Sequence, residues 1–228
     1  MHVPAVTSRL VSIPTEQGRP KRRPFDLCNP ETVIELEGTY PIQEYKISHT
    51  HKITCSHLPG GNMIIRKETP ADFDAISEVS IAAFKDHPFS FHTEQFIINA
   101  LRNAGALTLS LVAELDGRVV GHAAFSPVTM SDGTTDWYGL GPISVLPDYQ
   151  QQGIGKALLN EGLSQLKALG GQGCALVGEP AYYQRFGFKN YPELVHEGIP
   201  QEYFMILPFS GKIPQGFIAF HEGFKATS

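Results

Sequence analysis

Cysteine is scarce: only Cys28, Cys55 and Cys174 occur in 228 residues. An odd number at irregular spacing excludes a disulfide framework and points to a reducing compartment, read here as the cytoplasm. No apolar run approaches the roughly 18 residues that a membrane-spanning helix needs. The opening residues also lack the apolar stretch of a secretory signal. Positive charge is not in excess either, with 18 Lys plus Arg against 23 Asp plus Glu and a net charge of -5. Nucleic acid is therefore not an expected partner, because binding it rests on a clustered basic surface. What the chain does hold is 42% apolar and 10% aromatic residues, enough to fill the core of one domain of about 100 to 200 residues beside an extension.

Composition divides the chain near Met63. Residues 1–62 carry 7 of the 17 prolines and no sustained apolar period, so they are expected to form a poorly ordered N-terminal extension. Only 32–36 and 45–54 look extended there, and Gly60-Gly61 reads as a linker. Lys21, Arg22 and Arg23 read as a solvated basic run. His49, His51, Cys55 and His57 offer metal-compatible groups at a spacing that matches no usual ligand pattern, so no metal is expected. Residues 63–228 are expected to be the functional domain.

In that domain, 63–67 reads as a strand. Thr69-Pro70 then opens a helix whose Phe73, Ile76, Val79, Ala83 and Phe84 form a buried stripe. Thr93 caps a second helix through Ala104, ended by Gly105. Runs 107–115 and 118–128, joined by Asp116-Gly117, predict an antiparallel hairpin. Residues 137–145 return as a third strand, interrupted by Gly139 and Gly141, where a bulge or a close ligand fits. A glycine-bearing turn leads into a helix to Leu169. Residues 174–177, 203–207 and 217–220 supply further strands, with a short helix at 181–186. The order predicts an α/β fold with one mixed, mostly antiparallel sheet flanked by helices.

The chemistry sits in Gln150-Gln151-Gln152-Gly153-Ile154-Gly155-Lys156, a turn that opens a helix. The first N–H groups of a helix have no internal partner and carry partial positive charge, so an anion fits there. Glycine lets a diphosphate approach the main chain, and Lys156 adds a mobile charge. A P-loop would need Gly at 150 and Ser or Thr at 157, and a dinucleotide fingerprint would need a small residue in place of Leu158. The bland alternative is a glycine-containing helix start with no ligand.

On Gln150, Gly153 and Gly155 the chain resembles the GCN5-related N-acetyltransferases (GNAT), whose phosphate signature is Q or R, two residues, Gly, one residue, then Gly or Ala. Tyr183, followed after three residues by Gly187-Phe188, extends the resemblance, which runs from Met63 to about Leu207. The domain is most similar to a small bacterial subgroup of undefined substrate. The resemblance implies acetyl-CoA as acyl donor, a bulged strand at Gly141, a splayed strand pair forming the acyl-CoA cleft, and pantetheine lying along Ile143, Ser144 and Val145. It also implies Tyr183 as the acid that protonates the CoA sulfur. Glu179, at the end of the next strand, is the first candidate for the base that deprotonates the amine; its bland role is a helix cap. His122 reads as a packed strand histidine, His87 and His92 as loop residues, and Cys174 as a buried inert thiol. The expected activity is transfer of acetyl directly to an amine of a small molecule or protein. The mild acidity favours cationic amines, and the C-terminal strands are the candidate surface for a homodimer. The runner-up reading is a noncatalytic acyl-CoA-binding regulatory module.

Overall fold

In the computed structural model, which describes residues 53–55, 62–87 and 90–228, the alternating apolar runs pair into the expected mixed sheet. Strand β1 (Ile53–Cys55) pairs antiparallel with β2 (Met63–Lys67), so the sheet already begins inside the stretch assigned above to the extension. Ile53 and Thr54 close the 45–54 run expected to be extended and are strand here; the remaining expectations for 1–62, including the basic run and the three histidines near Cys55, lie outside the described residues. Then come α1 (Phe73–Phe84), α2 (Glu94–Asn103), β3 (Leu109–Leu115), β4 (Arg118–Met130), β5 (Trp137–Val145), α3 (Ile154–Ala168), β6 (Gly173–Val177) and α4 (Pro180–Tyr183). Strands β7 (Leu194–His196), β8 (Phe204–Pro208) and β9 (Gly216–Phe220) complete the chain.

Order across the sheet is β1-β2-β3-β4-β5-β6-β8. Along this order, pairing is antiparallel except between β5 and β6. The β3–β4 hairpin turns on Asp116 and Gly117, whose φ values of +50° and +82° suit the tight turn expected there. Strand β4 runs two residues past the expected Val128 because its end, Val128–Met130, leaves β5 and pairs with β9. β9 in turn pairs parallel with β7, a three-residue strand too short to produce a readable alternation.

The sheet has two differently built faces. On one, α3 lays Leu158, Leu159, Leu163 and Leu166 over Leu111, Ala113, Val120 and Phe125. The contact is close because Gly162 leaves room for the Phe125 ring: a Cβ there would lie 2.1 Å from Cζ. On the other, α1 and α2 set Ile76, Val79 and Ile98 against Val112 and Val119. That second face also buries a polar chain. Arg102 of α2 donates to both Glu68 oxygens at 2.8 Å. Ser110 donates to Glu68 Oε2, and Ser110 Oγ lies 2.8 Å from His122 Nε2. Since the serine proton goes to the carboxylate, Nε2 carries the imidazole proton, and the buried Nδ1 is left without a partner. Arg66 adds a fork onto Asp72 and a bond to Glu114, holding Asp72 in the capping box with Thr69. No helix among the described residues is long and apolar enough to cross a membrane.

Burial pushes the His122 pKa down to about 4, against the raising pull of Glu68, while Arg102 adds to the lowering. An unfolded chain takes up that proton near the ordinary histidine value of about 6.5. Stability is therefore fully present above about pH 6.5 and falls by about 3 kcal/mol on acidification towards pH 4. Arg66 holds the Asp72 carboxylate, and Arg102 and Ser110 the Glu68 carboxylate, below their usual range, so both act in the same direction at lower pH. Urea unfolding at pH 7 and at pH 5 is expected to give a clearly lower midpoint at pH 5; equal midpoints would contradict this account.

Candidate active site

The site begins where two parallel strands part company. β5 pairs with β6 only at Trp137↔Gly173, Tyr138↔Cys174 and Gly139↔Ala175. Gly173 admits the Trp137 ring, whose Cη2 would lie 2.4 Å from a Cβ at that position, which closes the narrow end. Beyond Gly139, β5 is bent by a bulge. On β4, Ala123 faces Ile143 and Phe125 faces Leu140, so Gly141 and Pro142 stand opposite Ala124 alone. The extra residue puts Leu140 and Ile143 on the same, α3-facing side although they are three apart. From Leu140 onward the edge of β5 that faced β6 carries no strand partner among the described residues. The Ser144 side chain turns to the opposite face, where its hydroxyl lies 3.4 Å from that of Ser80. Leu146 N–H donates to Val120 O, so by alternation Ser144 bonds across to β4 and the main chain of Ile143 and Val145 faces the free edge.

The turn after β5 then opens α3. Its main-chain N–H groups from Gln151 to Lys156 meet no acceptor among the described residues; Ala157 is the first to bond back, to Gly153 O at 2.9 Å. Gln150 and Gln152 brace the turn from within, each amide donating at 3.0 Å, to Val145 O and Asp148 O respectively. Gly153 has φ of +86° and nothing within 4 Å of where a Cβ would stand, so here glycine supplies both the left-handed backbone and open space. Ile154 is 1% exposed and offers a ligand only its N–H. Gln151, Gln152 and Lys156 are exposed.

Gly155 departs from the sequence reading. A Cβ at this position would lie 3.1 Å from the Tyr182 hydroxyl and 3.7 Å from Val145 Cγ2. The missing side chain therefore makes room for a tyrosine that sequence reasoning passed over in favour of its neighbour. Tyr183 packs against Phe188, edge to face at 6.1 Å, and against Tyr182 at 4.9 Å. Burial raises the Tyr183 pKa, with Tyr182 and Cys174 adding to the rise, so the phenol keeps its proton. Its ring occupies the place of a side chain at Gly178, where a Cβ would lie 2.4 Å from Cε2. A lone glycine at a strand end carries no mark of this in the sequence.

Glu179 is exposed and caps α4, accepting a long 3.4 Å bond from the Ala181 N–H. Cys174 is fully buried, and burial pushes its thiol well above the usual range, as an inert core thiol requires. His122 belongs to the buried polar chain described above. The structure brings together the free edge of β5, the amides opening α3, and the Tyr182–Tyr183 pair. Among the described residues, no three His, Cys, Asp or Glu side chains converge as metal ligands.

Residues 73–188 match the Acetyltransferase (GNAT) family. The uncharacterized N-acetyltransferase YhbS of Escherichia coli K12 is 38% identical over 128 residues, 56% of this chain and 74% of that protein. The crystal structure of a GNAT family acetyltransferase from Brucella melitensis in complex with acetyl-CoA is 49% identical and superposes with a TM-score of 0.64, over 71% of this chain and 97% of that one. The structure of Escherichia coli YhbS in complex with CoA is 30% identical with a TM-score of 0.68, over 76% and 98%.

Gly178→Ala is expected to displace the Tyr183 ring and to destabilise the protein by about 1–3 kcal/mol through overpacking. A lower urea midpoint and a shifted ring in the crystal structure of the variant are the readouts. Wild-type stability with an unmoved ring would show that the ring contact is not a constraint.

Proposed function

Because the chain belongs to the GNAT family and is an acyl-CoA-dependent N-acetyltransferase, we propose that it transfers acetyl from acetyl-CoA directly to an amine of a small molecule or protein in the cytoplasm. The observation that carries the proposal is the row of unpartnered amides from Gln151 to Lys156 beside the unpaired edge of β5. The amides, backed by the Lys156 charge, suit a diphosphate. The free edge suits an amide-bearing pantetheine arm, which hydrogen-bonds an extended main chain as a strand would.

Acetyl-CoA supplies a thioester whose carbonyl is attacked by the neutral amine. The main-chain N–H groups of Ile143 and Val145 are the donors we assign to the developing oxyanion, fixed in place by the sheet. Tyr183 donates its proton to the departing sulfur; burial keeps that proton in place until a thiolate forms beside it. Glu179 receives the amine proton, directly or through water, its cap bond being long enough to leave acceptor capacity.

Tyr183→Phe is expected to lower kcat by about 100-fold or more, the usual contribution of a positioned acid, with the Kd for CoA unchanged. Equal losses in kcat and CoA affinity would move Tyr183 from chemistry to packing. Because its pKa is raised, no loss of rate from tyrosine ionisation is expected below about pH 10; a tyrosine-dependent alkaline limb near pH 9 would refute the assignment. A screen of amines with acetyl-CoA, reading free thiol, is expected to find acceptors among cationic amines, since the chain carries net charge -5.

A further inference from the structure

Tyr182 holds a position that its packing alone does not require. Its ring is fixed on three sides: by Tyr183, by Phe186 at 5.5 Å, and by the Arg185 guanidinium 4.2 Å from its centroid. A phenylalanine would make those contacts equally well. The hydroxyl reaches past them to Gly155, the second residue of α3, among the amides that have no acceptor. That hydroxyl has no hydrogen-bond partner among the described residues. Arg185 forms no ion pair among them either; its charge meets only the Tyr182 and Phe186 rings.

We propose that Tyr182 is a second diphosphate-binding group, its hydroxyl donating to an acyl-CoA phosphate oxygen above Gly155, with Arg185 supplying neutralising charge alongside. The proposal rests on the acyl-CoA reading and adds a side-chain wall to a site otherwise made of main-chain amides. A phosphate oxygen accepting from a phenol gives a charge-assisted bond, stronger than a neutral one. The stacked guanidinium keeps the ring in place and adds attraction that does not depend on the helix end.

The test is isothermal titration of the full chain with CoA and with dephospho-CoA, which keeps the diphosphate and lacks the 3′-phosphate. Tyr182→Phe is expected to weaken both ligands about tenfold, the loss of one hydrogen bond to a charged acceptor, with an unchanged thermal midpoint. Arg185→Gln is expected to weaken both several-fold. Unchanged affinities in both variants would overturn the proposal, as would a loss confined to CoA, which would put the contact on the 3′-phosphate. Should the wild-type chain bind neither ligand, the acyl-CoA reading itself fails; wild-type binding with an indifferent Tyr182→Phe removes this inference alone.

Discussion

Main-chain amides that find no acceptor inside the fold are the constraint around which the functional end of this protein is arranged. A helix start always leaves such groups, but here the preceding turn extends the unpartnered run back to Gln151. Gln150 and Gln152 spend their side-chain amides on Val145 and Asp148, which holds the turn open without filling it. The bulge at Gly141-Pro142 and the parting of β5 from β6 leave a second unpaired main-chain edge beside the first. Unpaired polar main chain is costly when dry and useful when a ligand meets it. Its concentration in one cleft is the physical basis of the acyl-CoA reading.

Close approach is the second organising device, and it recurs with one pattern: a glycine opposite an aromatic side chain. Gly162 admits Phe125, which lets α3 pack on the sheet; Gly173 admits Trp137, which closes the narrow end of the cleft; Gly178 admits Tyr183 and Gly155 admits Tyr182. The first two set the scaffold and the last two set the groups nearest the proposed chemistry. The positions of Tyr182 and Tyr183 thus depend on main chain that no rotamer change can move. The opposite face of the sheet is held differently, by Arg102, Glu68, Ser110 and His122 in a buried polar chain. That chain ties α2 to β3 and β4 and is satisfied except at His122 Nδ1.

The amino-acid sequence by itself determined the elements whose cause is local. Asp116-Gly117 dictates a hairpin because few other pairs accept two positive φ values. Thr69-Pro70 dictates a helix start, and the glycine-bearing turn before α3 announces an anion site because free helix amides need only a helix end and room. Tyr183 came from likeness to a known family, and that likeness also singled out Gly141 for a bulge where the strand glycines had allowed either a bulge or a close ligand. Tertiary structure alone decided what depends on residues far apart in the chain. β7 and the end of β4 exist because β9 returns to pair with both. Gly155 makes room for Tyr182, 27 residues downstream by the numbering, a relation with no local pattern, since contact between α3 and α4 follows only once β5 and β6 lie side by side.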